Sequence, residues 1–253
     1  MSTRIFESHA YLYKLWRDTC LGIKGSEERE FNFLLDVLKS SNKKTETIID
    51  LGGGVGTHSK LLSAHGFDVT LLDQSESALK IVKETYLNIK TIHSSFENID
   101  LDKNYDVGVC MWSTLSYILD TDKQQDFYKQ LSTHINNIII LDQANFYRYS
   151  QSFSKVYEGE DDTHKMKITR NWNLNENNLK TTTYVYEVLN KETGLMELID
   201  DGESEQYLTI EQLEQYLGPE WKLKNTFGDY DVHSVYDKTT SLRLITVFEK
   251  VVV

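Results

Sequence analysis

Apolar positions recur at helical spacing near the start of the chain. In "SEEREFNFLLDVLKSS", Phe31, Leu34, Leu35 and Leu38 stand at i, i+3, i+4 and i+7, with Ser26 as N-cap. Residues 1–46 therefore read as helical, and Tyr11, Tyr13 and Trp16 crowd the stretch ahead of that helix. From Thr47 onward short β-branched runs alternate with amphipathic segments. The runs predict strands over residues 47–51, 68–72, 89–93, 105–111 and 137–142, with helices centred on "SALKIVKETY" and "KQQDFYKQLSTH". Such alternation predicts a parallel sheet with helices on both faces.

Between residues 153 and 207 the period falls to two. Met166, Ile168, Arg170, Trp172 and Leu174 share one face, and "LKTTTYVYEVL" and "LMELID" follow across the turns "NENN" and "NKETG". This pattern predicts a small antiparallel sheet inserted after the fifth strand. Helical spacing returns in "LTIEQLEQYLGP", where Thr209 and Gln212 form a capping box and Gly218 with Pro219 ends the helix. The runs "WKLKNTF" and "SLRLITVFEKV" then complete the first sheet. The expected organisation is a helical lid segment over 1–46, a main domain over 47–152 and 208–253, and an inserted β subdomain over 153–207.

Composition narrows the classes. The 253 residues are 40% hydrophobic and 11% aromatic, enough for one sizeable core. The cysteines are Cys20 and Cys110; Cys110 sits in an apolar run and reads as a buried thiol, outside any disulfide framework. "MSTRIFESHAYLYKLW" lacks an apolar signal core, and no run approaches the length of a membrane span. A cytoplasmic protein without a membrane partner is expected. Lys and Arg number 27 against 39 Asp and Glu, a formal charge of −12. Nucleic acid binding normally requires a basic footprint, so a nucleic-acid partner is disfavoured. The histidines lack metal-ligand spacing, and Asp161 with Asp162 reads as a solvated turn, so no metal site is expected.

The densest chemical signal is "TIIDLGGGVGTHSKLLSAHGFDVTLLDQSE". A dinucleotide fingerprint would need glycine where Thr57 stands, and a phosphate loop would need a lysine before Lys60. The pattern acid-x-Gly-x-Gly-x-Gly fits throughout, at Asp50, Gly52, Gly54 and Gly56. A strand-to-helix turn of this kind needs residues that tolerate unusual φ and admit a ligand close to the backbone. The following helix N-terminus offers free N–H groups that suit a carboxylate. Asp73 ends the next strand, where a carboxylate can accept from ribose hydroxyls at the ligand-binding edge of a doubly wound sheet.

On these residues the chain resembles the class I S-adenosylmethionine (SAM)-dependent methyltransferases. It is most similar to the small-molecule type, the glycine N-methyltransferase and sugar N-methyltransferase group. The resemblance implies a Rossmann-like α/β fold: a mixed seven-stranded sheet, helices on both faces and an antiparallel β insertion. It implies SAM as methyl donor and S-adenosylhomocysteine as product. The cofactor residues it implies are Tyr13 in the lid, Asp50, Gly52 and Gly54 in the loop, and Asp73 and Gln74 beyond it. Ser95 and Phe96, in "IHSSFENID", stand where the family grips adenine, with Ser95 in place of the usual acid. In "VCMWSTLSYI" the pattern sets the backbone of Met111 and Trp112 near the methionine amino group and projects Tyr117 toward the acceptor.

"IILDQANFY" resembles the family's "IDxRNY" pattern, so Asn145 is expected to contact substrate. Ala144 replaces the arginine that holds an amino-acid carboxylate, which argues against glycine as acceptor. "FGDYD" matches a closing-strand pattern of small-molecule methyltransferases. Tyr117 and Asn145 are thus the catalytic candidates. Methyl transfer is an in-line displacement in which alignment supplies much of the acceleration. A neutral amine needs no strong base, and none stands out in the sequence, so nitrogen is the expected acceptor atom. The alternatives are an RNA methyltransferase and a SAM-binding protein without catalysis. The inserted sheet is expected to cover the acceptor site or to form a homodimer.

Overall fold

The computed structural model describes residues 5, 10–20, 26–149 and 152–251, without the side chains of 10, 13, 14 and 20. The expected role of Tyr13 therefore lies outside the described side chains. Helix α1 (Ala10–Leu15) runs into a π-turn (Trp16–Cys20), and α2 (Ser26–Ser40) follows. The alternating region holds β1 (Thr47–Leu51), α3 (Thr57–Ala64), β2 (Asp68–Asp73), α4 (Glu76–Thr85), β3 (Lys90–His93) and β4 (Tyr105–Cys110). After a 3₁₀ turn (Thr114–Tyr117) come α5 (Thr121–His134) and β5 (Ile135–Ala144).

Four antiparallel strands succeed them: β6 (Ser152–Glu160), β7 (His164–Leu174), β8 (Leu179–Asn190) and β9 (Met196–Gln206). The chain closes with α6 (Ile210–Leu217), β10 (Trp221–Phe227) and β11 (Arg243–Lys250). The Thr209–Gln212 capping box is present at α6, and Gly218 is its C-cap.

The main sheet has seven strands in the order β10-β11-β5-β4-β1-β2-β3. β1 to β5 are parallel, and β11 runs antiparallel to both β5 and β10. β1 lies between β2 and β4, so the strand order reverses there and opens a crevice at the strands' carboxyl ends. Apolar residues of β1, β4 and β5 are buried from both sides, which is why these strands read as continuous apolar runs. β4 ends one residue earlier than expected, because Trp112 and Ser113 turn the backbone to φ 60° and 64°.

The second sheet has the order β6-β7-β8-β9. Its inner face sets Met166, Ile168, Tyr184, Tyr186 and Ile199 against Leu12, Leu15 and Trp16 of the N-terminal segment. β9 extends well past "LMELID" into the acidic "DGESEQ", paired throughout with β8. That extension carries carboxylates into the interior.

Candidate functional site

A cavity of about 490 Å³ lies between the carboxyl ends of the main sheet, the N-terminal segment and the inner face of the second sheet. Its floor is the loop after β1. Gly52 and Gly54 adopt φ 70° and 56°, where a side chain is strained. A Cβ on Gly54 would meet no atom within 4 Å, so bare backbone faces the open space. Gly56 caps α3 with no side-chain bond, and the first turn of that helix lies behind the loop, with Ser59 buried against Asp50.

Asp73 lines the cavity and braces this loop. Its Oδ2 accepts the Gly54 N–H at 2.8 Å and its Oδ1 the Ser75 N–H at 2.8 Å. Burial raises its pKa, against the pull of those backbone bonds. Gln74, Ser95 and Phe96 line the same end, with the Phe96 ring held against Phe127 at 4.8 Å.

Asp50 is placed differently. It is buried beneath the loop, takes the Ser59 hydroxyl of α3 at 2.6 Å, and does not line the cavity. Burial raises its pKa, opposed by the nearby His58 and by Ser59. It acts on the loop from behind.

Trp112 lines the cavity, and its indole donates to Glu30 Oε2 at 2.9 Å. Burial pushes Glu30 upward, but His58 at 2.5 Å, Trp112 and Ser26 outweigh it and hold that carboxyl below its ordinary range. Arg17 places its guanidinium 5.4 Å from the Trp112 ring and donates to Thr57 at 3.1 Å, tying the N-terminal segment to the start of α3. Met111, expected beside Trp112, is buried in the core, and its carbonyl already accepts the Thr114 hydroxyl at 2.8 Å. It is absent from the cavity wall.

Asn145 also departs from expectation. Its amide donates to the carbonyls of Lys238 at 3.0 Å and Ser241 at 2.8 Å, and its oxygen accepts from Tyr236 at 3.2 Å. The side chain holds a loop and does not line the cavity. Ala144 does line it. Its cross-strand neighbour Arg243 bonds Asp142 at 2.7 Å and borders the same space.

The far end of the cavity is built by the second sheet. Tyr117 lies there, and its hydroxyl donates to Glu203 Oε2 at 2.7 Å. Tyr184 donates to the other oxygen of Glu203. Burial and the adjacent Glu205 raise the pKa of Glu203, while Lys180, Tyr184 and Tyr117 oppose the rise. Glu205 pairs with Lys180 and accepts from Tyr207 at 3.0 Å. Burial, then Glu203, pushes the Tyr117 phenol well above its usual range, so it is a donor and not a base. Arg170, Trp16 and Tyr149 complete this wall.

Glu203, Glu205, Lys180 and Tyr184 escaped the sequence reading. The signal was parity: Glu203 and Glu205 continue the period-two face of the buried Ile199. Among the described residues no cluster of His, Cys, Asp or Glu is arranged to hold a metal, and no helix is long and apolar enough to cross a membrane.

Residues 48–137 match the model of a methyltransferase domain. A ubiquinone biosynthesis O-methyltransferase of Rickettsia conorii is 36% identical over 104 residues, covering 39% of this chain and 35% of that protein. A glycine/sarcosine N-methyltransferase of Parasynechococcus marenigrum is 26% identical over 144 residues, covering 53% and 49%. The chain thus spans about a third to a half of the length of these relatives. The solved structure of a SAM-dependent methyltransferase from Clostridium acetobutylicum superposes with a TM-score of 0.80 at 16% identity, covering 95% of this chain and 98% of that one. Residues 48–137 thus carry a methyltransferase domain, and the chain has the fold of that solved SAM-dependent methyltransferase.

Proposed function

We propose that this protein transfers the methyl group of SAM to the nitrogen of a small-molecule amine. The observation that carries the acceptor reading is Glu203, a buried carboxylate at the far end of the cavity, aimed by two tyrosine hydroxyls. The cofactor end fits SAM: open backbone at Gly54, a carboxylate at Asp73, and an aromatic ring at Phe96. SAM supplies a methyl group already activated on a sulfonium. Gly52 and Gly54 would admit its amino-acid portion, Asp73 its ribose and Phe96 its adenine, with Ser95 and Gln74 beside them. Asp50 supports the loop from beneath, and Trp112 closes the side toward the N-terminal segment.

An amine reaches the site as an ammonium and must lose a proton before its nitrogen can attack. Glu203 would take that proton, and its raised pKa brings it nearer the range where a base works at neutral pH. Tyr117 and Tyr184 fix the carboxylate's direction, and Trp16 with the second sheet excludes water. The two relatives divide between oxygen and nitrogen acceptors. A second reading, a hydroxyl acceptor, gains support from Glu203, since a hydroxyl requires a base. Incubating the protein with isotope-labelled SAM and a fractionated metabolite pool tests both. A labelled N-methyl product is expected; labelled ether points to the second reading. Labelled RNA, or no labelled small molecule, would overturn the proposal.

A further inference from the structure

We infer that Arg170 is a receptor for a carboxylate carried by the acceptor, a reading that rests on the acceptor site proposed above. The other cations bordering the cavity have partners: Lys180 pairs with Glu205, and Arg243 with Asp142. Arg170 is different. Among the described residues no carboxylate oxygen lies within 4.0 Å of its guanidinium, and its buried Nε has no acceptor.

Aromatic faces surround it instead, with ring centroids of Trp172, Tyr184 and Trp16 at 5.0, 5.5 and 5.9 Å. Those faces accommodate the cation but leave its in-plane Nε–H unanswered. A buried donor without an acceptor is costly, and the planar fork of a guanidinium matches a carboxylate bidentately. The buried Glu203 and Glu205 act on Arg170 through space, so a singly charged carboxylate fits beside them better than a doubly charged phosphate.

The register sets the acceptor's shape. Arg170 faces Tyr184 across β7 and β8, and Thr182 faces Glu203 across β8 and β9. Tyr184 in turn faces Asp201, and Glu203 lies two residues further along β9 on the same face, so the Cα atoms of Arg170 and Glu203 are about 12 Å apart at ordinary sheet spacing. An acceptor that meets both has its ammonium and carboxylate on different carbons, joined by a spacer that lies along the aromatic wall.

The test uses 4-(aminomethyl)benzoate and its methyl ester as probes, titrated calorimetrically into the protein loaded with S-adenosylhomocysteine. The acid should bind at least about tenfold more tightly than the ester. In Arg170→Gln the two should bind within about twofold of each other, and Arg170→Lys should retain part of the preference. S-adenosylhomocysteine affinity should be unchanged in both variants, which also reports that they fold. Equal binding of acid and ester to the wild type, no binding of the acid, or an acid preference that survives Arg170→Gln would overturn the inference. Acid preference without methylation of the probe leaves Arg170 as the carboxylate receptor and counts only against amine methylation.

Discussion

Replacing Asp73 by alanine probes the cofactor end of the site. Each carboxylate oxygen already accepts one backbone N–H, from Gly54 and from Ser75, both at 2.8 Å. Each retains a lone pair for a ribose hydroxyl. A hydrogen bond to a charged acceptor contributes about 1.5–3 kcal/mol, and two on one carboxylate do not add fully. A loss of about 2–3 kcal/mol follows, or a dissociation constant for S-adenosylhomocysteine roughly 30- to 150-fold weaker. Calorimetry measures it directly.

The same loss would arise if Asp73 merely held Gly54 in place, so the 2′,3′-dideoxy analogue of the ligand is the decisive comparison. Direct contact with the ribose predicts that the analogue binds wild type weakly and loses less than about threefold more on mutation. Because burial raises the Asp73 pKa above 3.8, wild-type affinity should fall as pH drops through the raised value, while the variant stays flat. Equal losses for both ligands, or affinity within about threefold of wild type in a folded variant, would refute the ribose contact.

Glu203→Gln should lower turnover by about 100-fold or more and remove the acid limb of the pH–rate profile. Because Glu203 keeps its proton above the ordinary 4.5, wild type should lose stability relative to this variant as pH rises through the raised pKa; denaturation curves with parallel pH dependence would contradict this. Tyr117→Phe should cut turnover by about tenfold while S-adenosylhomocysteine affinity stays within about twofold, since the hydroxyl addresses Glu203; a drop in affinity instead would move Tyr117 to the cofactor. Gly54→Ala should weaken S-adenosylhomocysteine at least about tenfold, because φ 56° strains alanine and its methyl enters the cavity; unchanged binding would mean the loop is no ligand cradle. Glycine and sarcosine should not be methylated, and efficient turnover of either would break the acceptor argument.

The cofactor end was legible because its residues lie close together in sequence. Asp50, Gly52, Gly54 and Asp73 belong to one strand-turn-helix-strand unit, whose geometry follows from local chain chemistry. The acceptor end is assembled from strands distant in sequence. "DGESEQ" reads as a polar turn by propensity, since Gly, Asp and Glu are poor strand formers. Pairing of Thr182 with Glu203 and Lys180 with Glu205 carries it on as a strand, and tertiary context overrides propensity. Met111 and Asn145 stand outside the cavity wall for another reason. The motif placed them correctly along the chain, but hydrogen bonds to Thr114 and to the 236–241 loop already engage them. A spacing pattern carries no information about where a side chain's bonds go.

Ala144 shows the same limit in reverse. Its missing guanidinium argued that the site lacks an anion clamp, yet Arg243 enters from the antiparallel partner strand and Arg170 from the second sheet. The preference for nitrogen likewise needs a new foundation, because Glu203 is a candidate base that the sequence reading did not name. Charge matching supplies that foundation. With Lys180–Glu205 and Arg243–Asp142 paired, Glu203 and Arg170 are the opposite charges at the acceptor end left without an ion-pair partner among the described residues. A neutral hydroxyl compound would leave both desolvated, and an unpaired buried charge is costly. An ammonium at Glu203 and a carboxylate at Arg170 answer both at once. On the proposed reading the methyl would then go to the nitrogen that Glu203 frees of its proton.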